Sequence, residues 1–227
     1  MKFAIPFSLV LLTLVSIVAC NNAPEGQKVE AEEATEQPAM TNNAGGDAYM
    51  VDTENTVIRW TGSKPTYQHK GTLKVSSGQF TVADGNLTGG EFVLDMNSID
   101  VTDEGIDPDD EKKLIGHLTS GDFFETGKFP SARFQVTSVA PASEGGDITH
   151  NITGNLTMKG ITKSVTIPAN VIVTDASITA QTPAFTIDRL EWDIKYDAGI
   201  LGTAKDKIIA DEIGLLISLT ANKAGAM

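Results

Sequence analysis

Three histidines, a single cysteine and one acidic run are the groups in this chain best suited to chemistry. His117 precedes Asp122 by five residues, a separation at which a carboxylate can accept a bond from the ring and set its tautomer. Alternatively, Asp122 caps the turn that enters Phe123. His69 and Arg133 are the other polar side chains expected near a ligand head group or a pocket mouth. For all three the plainer role is a hydrogen bond that fixes a loop or a strand end. An enzyme acting on a bound molecule would use His117 and Asp122 as its acid and base. A metal or catalytic centre needs further ligands that the sequence does not place nearby, so no catalytic residue, metal or cofactor is assigned.

The run Asp103, Glu104, Asp107, Asp109, Asp110 and Glu111 offers oxygen ligands of the kind hard cations take. Its spacing lacks the alternating D-x-[DN]-x-[DN]-G order with a distant glutamate, and it is read as a solvated loop. Asp188-Arg189 reads as a local ion pair or an anchor at a strand bend. There is no G-x-S-x-G, P-loop, H-E-x-x-H or dinucleotide fingerprint. The balance of 17 basic against 30 acidic residues, a net charge of −13, repels nucleic acid, which is therefore not an expected partner.

Cys20 stands alone, which excludes an intramolecular disulfide framework and any multi-cysteine metal site. It closes a run from Phe3 to Val18 that is nearly all apolar and follows Met1-Lys2. The run is close to the minimum that spans a bilayer, and small and polar residues follow at once. Residues 1–19 are thus expected to be a cleaved signal peptide rather than a lasting transmembrane helix. Ile17-Val18-Ala19-Cys20 resembles the lipobox of bacterial lipoproteins; the alternative is an ordinary cleavage site. The resemblance implies lipidation at Cys20, a membrane partner through the acyl anchor, and a place in the bacterial cell envelope, on the periplasmic face or at the outer membrane. Between residues 21 and 47 stand five glutamates, one aspartate and one lysine, with almost nothing bulky and apolar. Residues 20–47 are therefore expected to be a lipidated cysteine followed by a disordered acidic tether.

From residue 48 onward the pattern has period two. Ile148, His150, Ile152, Gly154, Leu156 and Met158 alternate with hydroxyl and amide residues and end at Lys159-Gly160. Similar alternation runs over 92–96, 132–136, 165–173 and 213–219, with further strands expected over 49–60, 71–82 and 178–194, the last bent at Thr182-Pro183. Roughly eight strands at regular spacing indicate a sandwich or a barrel. Closure into a barrel leaves no unpaired edge, and eight strands leave room for packed side chains or one small ligand. The pattern breaks over 98–129, where residues 112–118 have the spacing of a short helix, and again over 196–207. These two stretches are expected to be long loops gating the body.

The order of motifs resembles the YceI-like family of lipocalin-like periplasmic proteins. It is carried by Tyr49-Met50-Val51-Asp52, Val57-Ile58-Arg59-Trp60-Thr61-Gly62, His69-Lys70-Gly71, Phe92-Val93-Leu94-Asp95-Met96-Asn97-Ser98-Ile99, Gly116-His117-Leu118, Asp122-Phe123-Phe124, Lys128-Phe129-Pro130-Ser131-Ala132-Arg133-Phe134, Ile152 through Lys163, and Asp188-Arg189-Leu190-Glu191-Trp192. The resemblance implies an all-β domain over 48–227, an eight-stranded antiparallel lipocalin-like barrel with a short helix and long loops. It implies binding or carriage of a long-chain amphiphile, a polyisoprenoid, isoprenoid quinone or fatty amide, with no common catalytic activity, and it leaves a homodimer open. The alternative is a surface structural, adhesion or stress-related envelope lipoprotein with a packed barrel. Trp60, Phe92, Phe123, Phe124, Phe134, Phe185 and Trp192 are the expected ligand-binding walls, with His69, His117 and Arg133 as polar neighbours. Phe123 and Phe124 are adjacent, so on a strand or a helical turn only one of them is expected to face inward.

Overall fold

A computed structural model describes residues 23–36, 46–142, 146–199 and 208–225. The expected signal peptide, Cys20 and the second gating loop from residue 200 lie outside the described residues.

The chain forms β1 (Gln27–Lys28), β2 (Ala31–Glu33), β3 (Asp47–Val51), β4 (Val57–Lys64), β5 (Tyr67–Ala83), β6 (Asn86–Val101), α1 (Pro108–Thr119), β7 (Ser131–Pro141), β8 (His150–Met158), β9 (Ile161–Val173), β10 (Ser177–Gln181), β11 (Phe185–Asp188), a 3-10 turn (Arg189–Trp192) and β12 (Glu212–Lys223). β5 to β10 are consecutive antiparallel neighbours, interrupted only by α1, and β10 pairs with β12. The far edge of β12 pairs with β4 and β3, which in turn pair with β5. The strands thus close a ring of eight positions, with β3 and β4 sharing one and β10 and β11 another. Closure leaves each main strand paired on both sides, which satisfies backbone groups that an open sheet would expose.

Local chemistry explains the corners. Asp84-Gly85 and Lys159-Gly160 join β5 to β6 and β8 to β9, and all four residues have positive φ, between 49° and 76°. Two such residues in succession match the twist of a hairpin. On β8 and β9 the outward face is polar, with the hydroxyls of Thr153 and Thr166, and of Thr157 and Thr162, each 2.9 Å apart across the strands. The inward residues Ile152, Met158, Val165 and Ile167 are buried in the core.

Three expectations change. The strand expected over 49–60 is two strands, because Asp52 accepts the backbone N–H of Glu54 and Asn55 and turns the chain. The helix begins before residue 112: Asp107 accepts the N–H of Asp109, Pro108 opens the first turn, and Asp109, Asp110 and Glu111 stand where the helix dipole favours negative charge. Half of the supposed acidic loop is therefore a helix start. Finally, residues 23–36 are not a free tether. Residues 27–33 pair with β11 and β9, and Val29 is buried in the core. Low hydrophobicity did not forbid order here, because two strand edges supply the backbone partners.

Candidate functional site

The inner faces of the ring surround a cavity of about 140 Å³. On the same measure one buried water takes roughly 10–15 Å³, so the space admits roughly ten carbon-sized groups. Its walls come from almost every position of the ring: Ile58 and Trp60 on β4, Leu73 on β5, Phe92, Leu94 and Met96 on β6, Ala132 and Phe134 on β7, Leu156 and Met158 on β8, Val165 and Ile167 on β9, and Phe185 and Ile187 on β11. Each set recurs at every second residue, which is how a strand presents one face. Leu118 at the end of α1 and the following Phe123 and Phe124 complete the wall on the helix side, and Arg189 and Glu212 are the charged residues among those that line it.

Six of the expected wall aromatics line this space: Trp60, Phe92, Phe123, Phe124, Phe134 and Phe185. Phe123 and Phe124 both reach it, against expectation. They sit in a tight turn rather than on a strand or helix: the N–H of Phe124 bonds to the Leu118 carbonyl, that of Phe123 to Ser120, and Glu125 has φ +48°. Such a turn lets adjacent side chains point to one side. Trp192 is fully buried but does not line the cavity; its indole N–H donates to the Leu156 carbonyl at 3.2 Å and packs the 3-10 turn onto the ring.

The expected polar neighbours stand off the cavity. His69 Nδ1 lies 2.5 Å from Asp103 Oδ2, while Asp103 Oδ1 accepts the Lys70 N–H at 2.7 Å, so this group ties the chain after β6 to β5. Arg133 is half exposed on the outer face, where it pairs with Glu91 on the neighbouring strand at 3.3 Å. His117 is 3.2 Å from Asp122 and edge-on to both Phe123 and Tyr196, at 5.0 and 4.6 Å between ring centres. It supports a wall aromatic from behind. Among the described residues no group of three or more His, Cys, Asp or Glu is arranged to hold a metal ion.

The residue that sequence reasoning underweighted is Arg189. Its side chain is 1 % exposed, and its guanidinium donates to the carbonyls of Ile194, Ile209 and Ala210, with Asp211 at 3.7 Å. Burial lowers the pKa of Arg189, and the nearby Asp211 charge opposes this. Burial likewise raises the pKa of Asp211 from its ordinary value, with Arg189 opposing. Its Oδ1 is buried without a hydrogen bond, as is the indole N–H of Trp60 on the cavity wall. The bend reading of Asp188-Arg189 was local; the distant carbonyls it gathers carry no sequence signal.

A family model described as the YceI-like domain matches residues 49–221. Among curated relatives, Protein YceI of Escherichia coli is 36 % identical over 102 residues, 45 % of this chain and 48 % of that protein. A UPF0312 protein of Shewanella denitrificans is 32 % identical over 127 residues, 55 % of this chain and 62 % of its own length. The chain therefore spans less than two thirds of either relative. Two solved structures share the fold. BcnA of Burkholderia cenocepacia superimposes with a TM-score of 0.58 at 24 % identity, over 75 % of this chain and 98 % of that one. A polyisoprenoid binding domain from Saccharophagus degradans gives 0.56 at 17 % identity, over 78 % and 99 %.

Proposed function

Since this chain belongs to the YceI-like family, we propose that it binds or carries a long-chain amphiphile of the polyisoprenoid, isoprenoid-quinone or fatty-amide class inside the ring, with no reaction performed on it. The observation that carries the reading is the cavity: a space inside the ring whose wall is aliphatic and aromatic on nearly every strand. The fold shared with a domain described as polyisoprenoid binding supports the choice of ligand class.

The energetics are consistent with this. Roughly ten methylene groups taken from water release about 8 kcal/mol before ordering costs are subtracted. Tight binding then needs a longer chain or a polar contact.

Acylation at Cys20, a place in the cell envelope and pairing into a homodimer belong to the same proposal. Two residues, Asn21 and Asn22, separate Cys20 from Ala23, a reach of roughly 10 Å over three residue steps. An anchor there would hold the ring against the bilayer rather than away from it.

The test is native mass spectrometry of the chain from residue 21, exported in its own host and purified without detergent, followed by organic extraction. A stoichiometric adduct of polyprenyl, quinone or fatty-amide type supports the proposal, and the same spectrum reads the homodimer. A bare mass together with a silent titration against all three classes overturns it and favours a packed ring that works through its acidic surface.

A further inference from the structure

The chain N-terminal to the family match fills a slit in the ring. β9 pairs with β10 only from Asn170 to Val173, and among the described residues no ladder joins β9 to β11. Residues 27–33 run between them. Gln27 and Lys28 pair in parallel with Phe185 and Thr186 of β11, and Ala31, Glu32 and Glu33 pair antiparallel with Val165, Ser164 and Lys163 of β9. Val29, between the two short ladders, is 5 % exposed and donates its N–H to the Thr186 carbonyl at 2.8 Å. On the two sides of this segment, Val165, Ile167, Phe185 and Ile187 line the cavity. The segment thus fills the gap between two cavity-lining strands, with Val29 in the core cluster.

Its seat is shaped but lightly bonded. Gly26, at φ +139°, lies so close to β11 that a Cβ there would fall 2.7 Å from the Ala184 carbonyl. A Cβ on Gly214 would fall 2.8 Å from Pro24. Beyond it, Thr35 and Asn155 exchange two hydrogen bonds, of 3.0 and 2.9 Å. Against this, the segment has five ladder residues, whereas β8 and β9 share nine pairs. Glu25, Lys28, Glu30, Glu32 and Glu33 are all exposed. The family match begins at residue 49, so the strand is an addition to the matched unit.

We propose that residues 24–35 are a displaceable wall strand, and that its release opens a lateral slit between β9 and β11 through which the ligand enters and leaves the cavity. The proposal rests on the ligand-binding reading above. A chain much longer than ten carbons exceeds this volume and must extend past the wall, and elements with few buried contacts and few ladder bonds open first. Release leaves unpaired edges on β9 and β11, which draw the same segment back by strand addition. An acylated Cys20 would place the slit beside the bilayer that supplies the ligand.

Glu32 and Ser164 are opposed across the β2–β9 ladder. A double variant, Glu32→Cys with Ser164→Cys, made in the mature chain carrying Cys20→Ser, allows the strand to be pinned by oxidation and freed by reductant in one protein. With dansyl-labelled geranylgeraniol as probe, oxidation is expected to slow uptake and release at least tenfold while the Kd changes less than threefold, and reduction is expected to restore both rates. Equal rates in the two redox states, with binding intact, overturn the slit and leave the cavity reading standing. No binding in the reduced protein removes both. Val29→Asp provides a second test that needs no crosslink. Hydrogen exchange without ligand is expected to rise at residues 27–33 and along the facing edges of β9 and β11 but not in β5 to β7, and probe exchange is expected to quicken. Loss of protection throughout the ring, or a freed strand with unchanged probe exchange, overturns the proposal.

Discussion

The indole of Trp60 lies across Gly71, its partner on the neighbouring strand: a Cβ on Gly71 would fall 2.5 Å from Trp60 Cε2 and 1.9 Å from the Asp100 carbonyl oxygen. Phe134 lies over Gly154 in the same way, with 2.4 Å between a Cβ there and its Cζ. These two cavity aromatics therefore occupy room that only a glycine leaves, and the glycine sets where the flat wall of the site stands. Gly71→Ala is expected to lower stability by about 3 kcal/mol, the upper end for overpacking, because the clash includes backbone. Thermal unfolding together with the emission of Trp60 checks this. Unchanged values of both would show that the ring is not held there.

The free interior makes a second prediction. Ala132 is 2 % exposed and lines the cavity from β7. Ala132→Leu should place its added carbons in the empty space, lowering affinity for a polyprenol at least tenfold while stability changes by less than about 1 kcal/mol. Isothermal titration and chemical unfolding measure the two. A large loss of stability would mean that no space is there to fill.

Arg189 gathers three carbonyls from the two ends of the segment between the 3-10 turn and β12. Arg189→Met keeps much of the side-chain volume but leaves those acceptors without their donor, each at about 1–3 kcal/mol. The expected loss is about 3 kcal/mol or more, read by urea unfolding. A nearly neutral substitution would show that water replaces the guanidinium.

Asp211 supplies a pH dependence. Burial raises its pKa above the ordinary 3.8, with Asp188 and Glu212 adding to the effect. The native state therefore holds this proton more readily than the unfolded chain, so the group contributes nothing below pH 3.8, where both states are protonated, and becomes a cost as pH rises from 3.8 through the raised value. Asp211→Asn is expected to stabilise at pH 7. Its side chain is 42 % exposed, so solvent screening limits the gain to no more than about 1 kcal/mol. The difference should vanish below pH 3.8. A variant that is less stable at neutral pH would show that the pairing with Arg189 outweighs burial.

Much of the ring was written in short-range chemistry. The alternation from Ile148 to Met158, the Lys159-Gly160 hairpin and the apolar faces of β6, β7 and β9 follow from a period of two and from residues that tolerate positive φ, and both are visible within a few positions. That is why Phe92 and Phe134 could be expected on an inward face. Tertiary structure decided what depends on distant partners. The turn that aims Phe123 and Phe124 together and the carbonyls that Arg189 reaches are set by packing. Above all, residues 27–33 hold too little apolar surface to fold alone, and order comes to them from two strand edges that lie more than 120 residues further along the chain. A sequence states which face of a strand is oily because that is a local property. Which edge remains open, and which segment comes to fill it, is settled only when the ring closes.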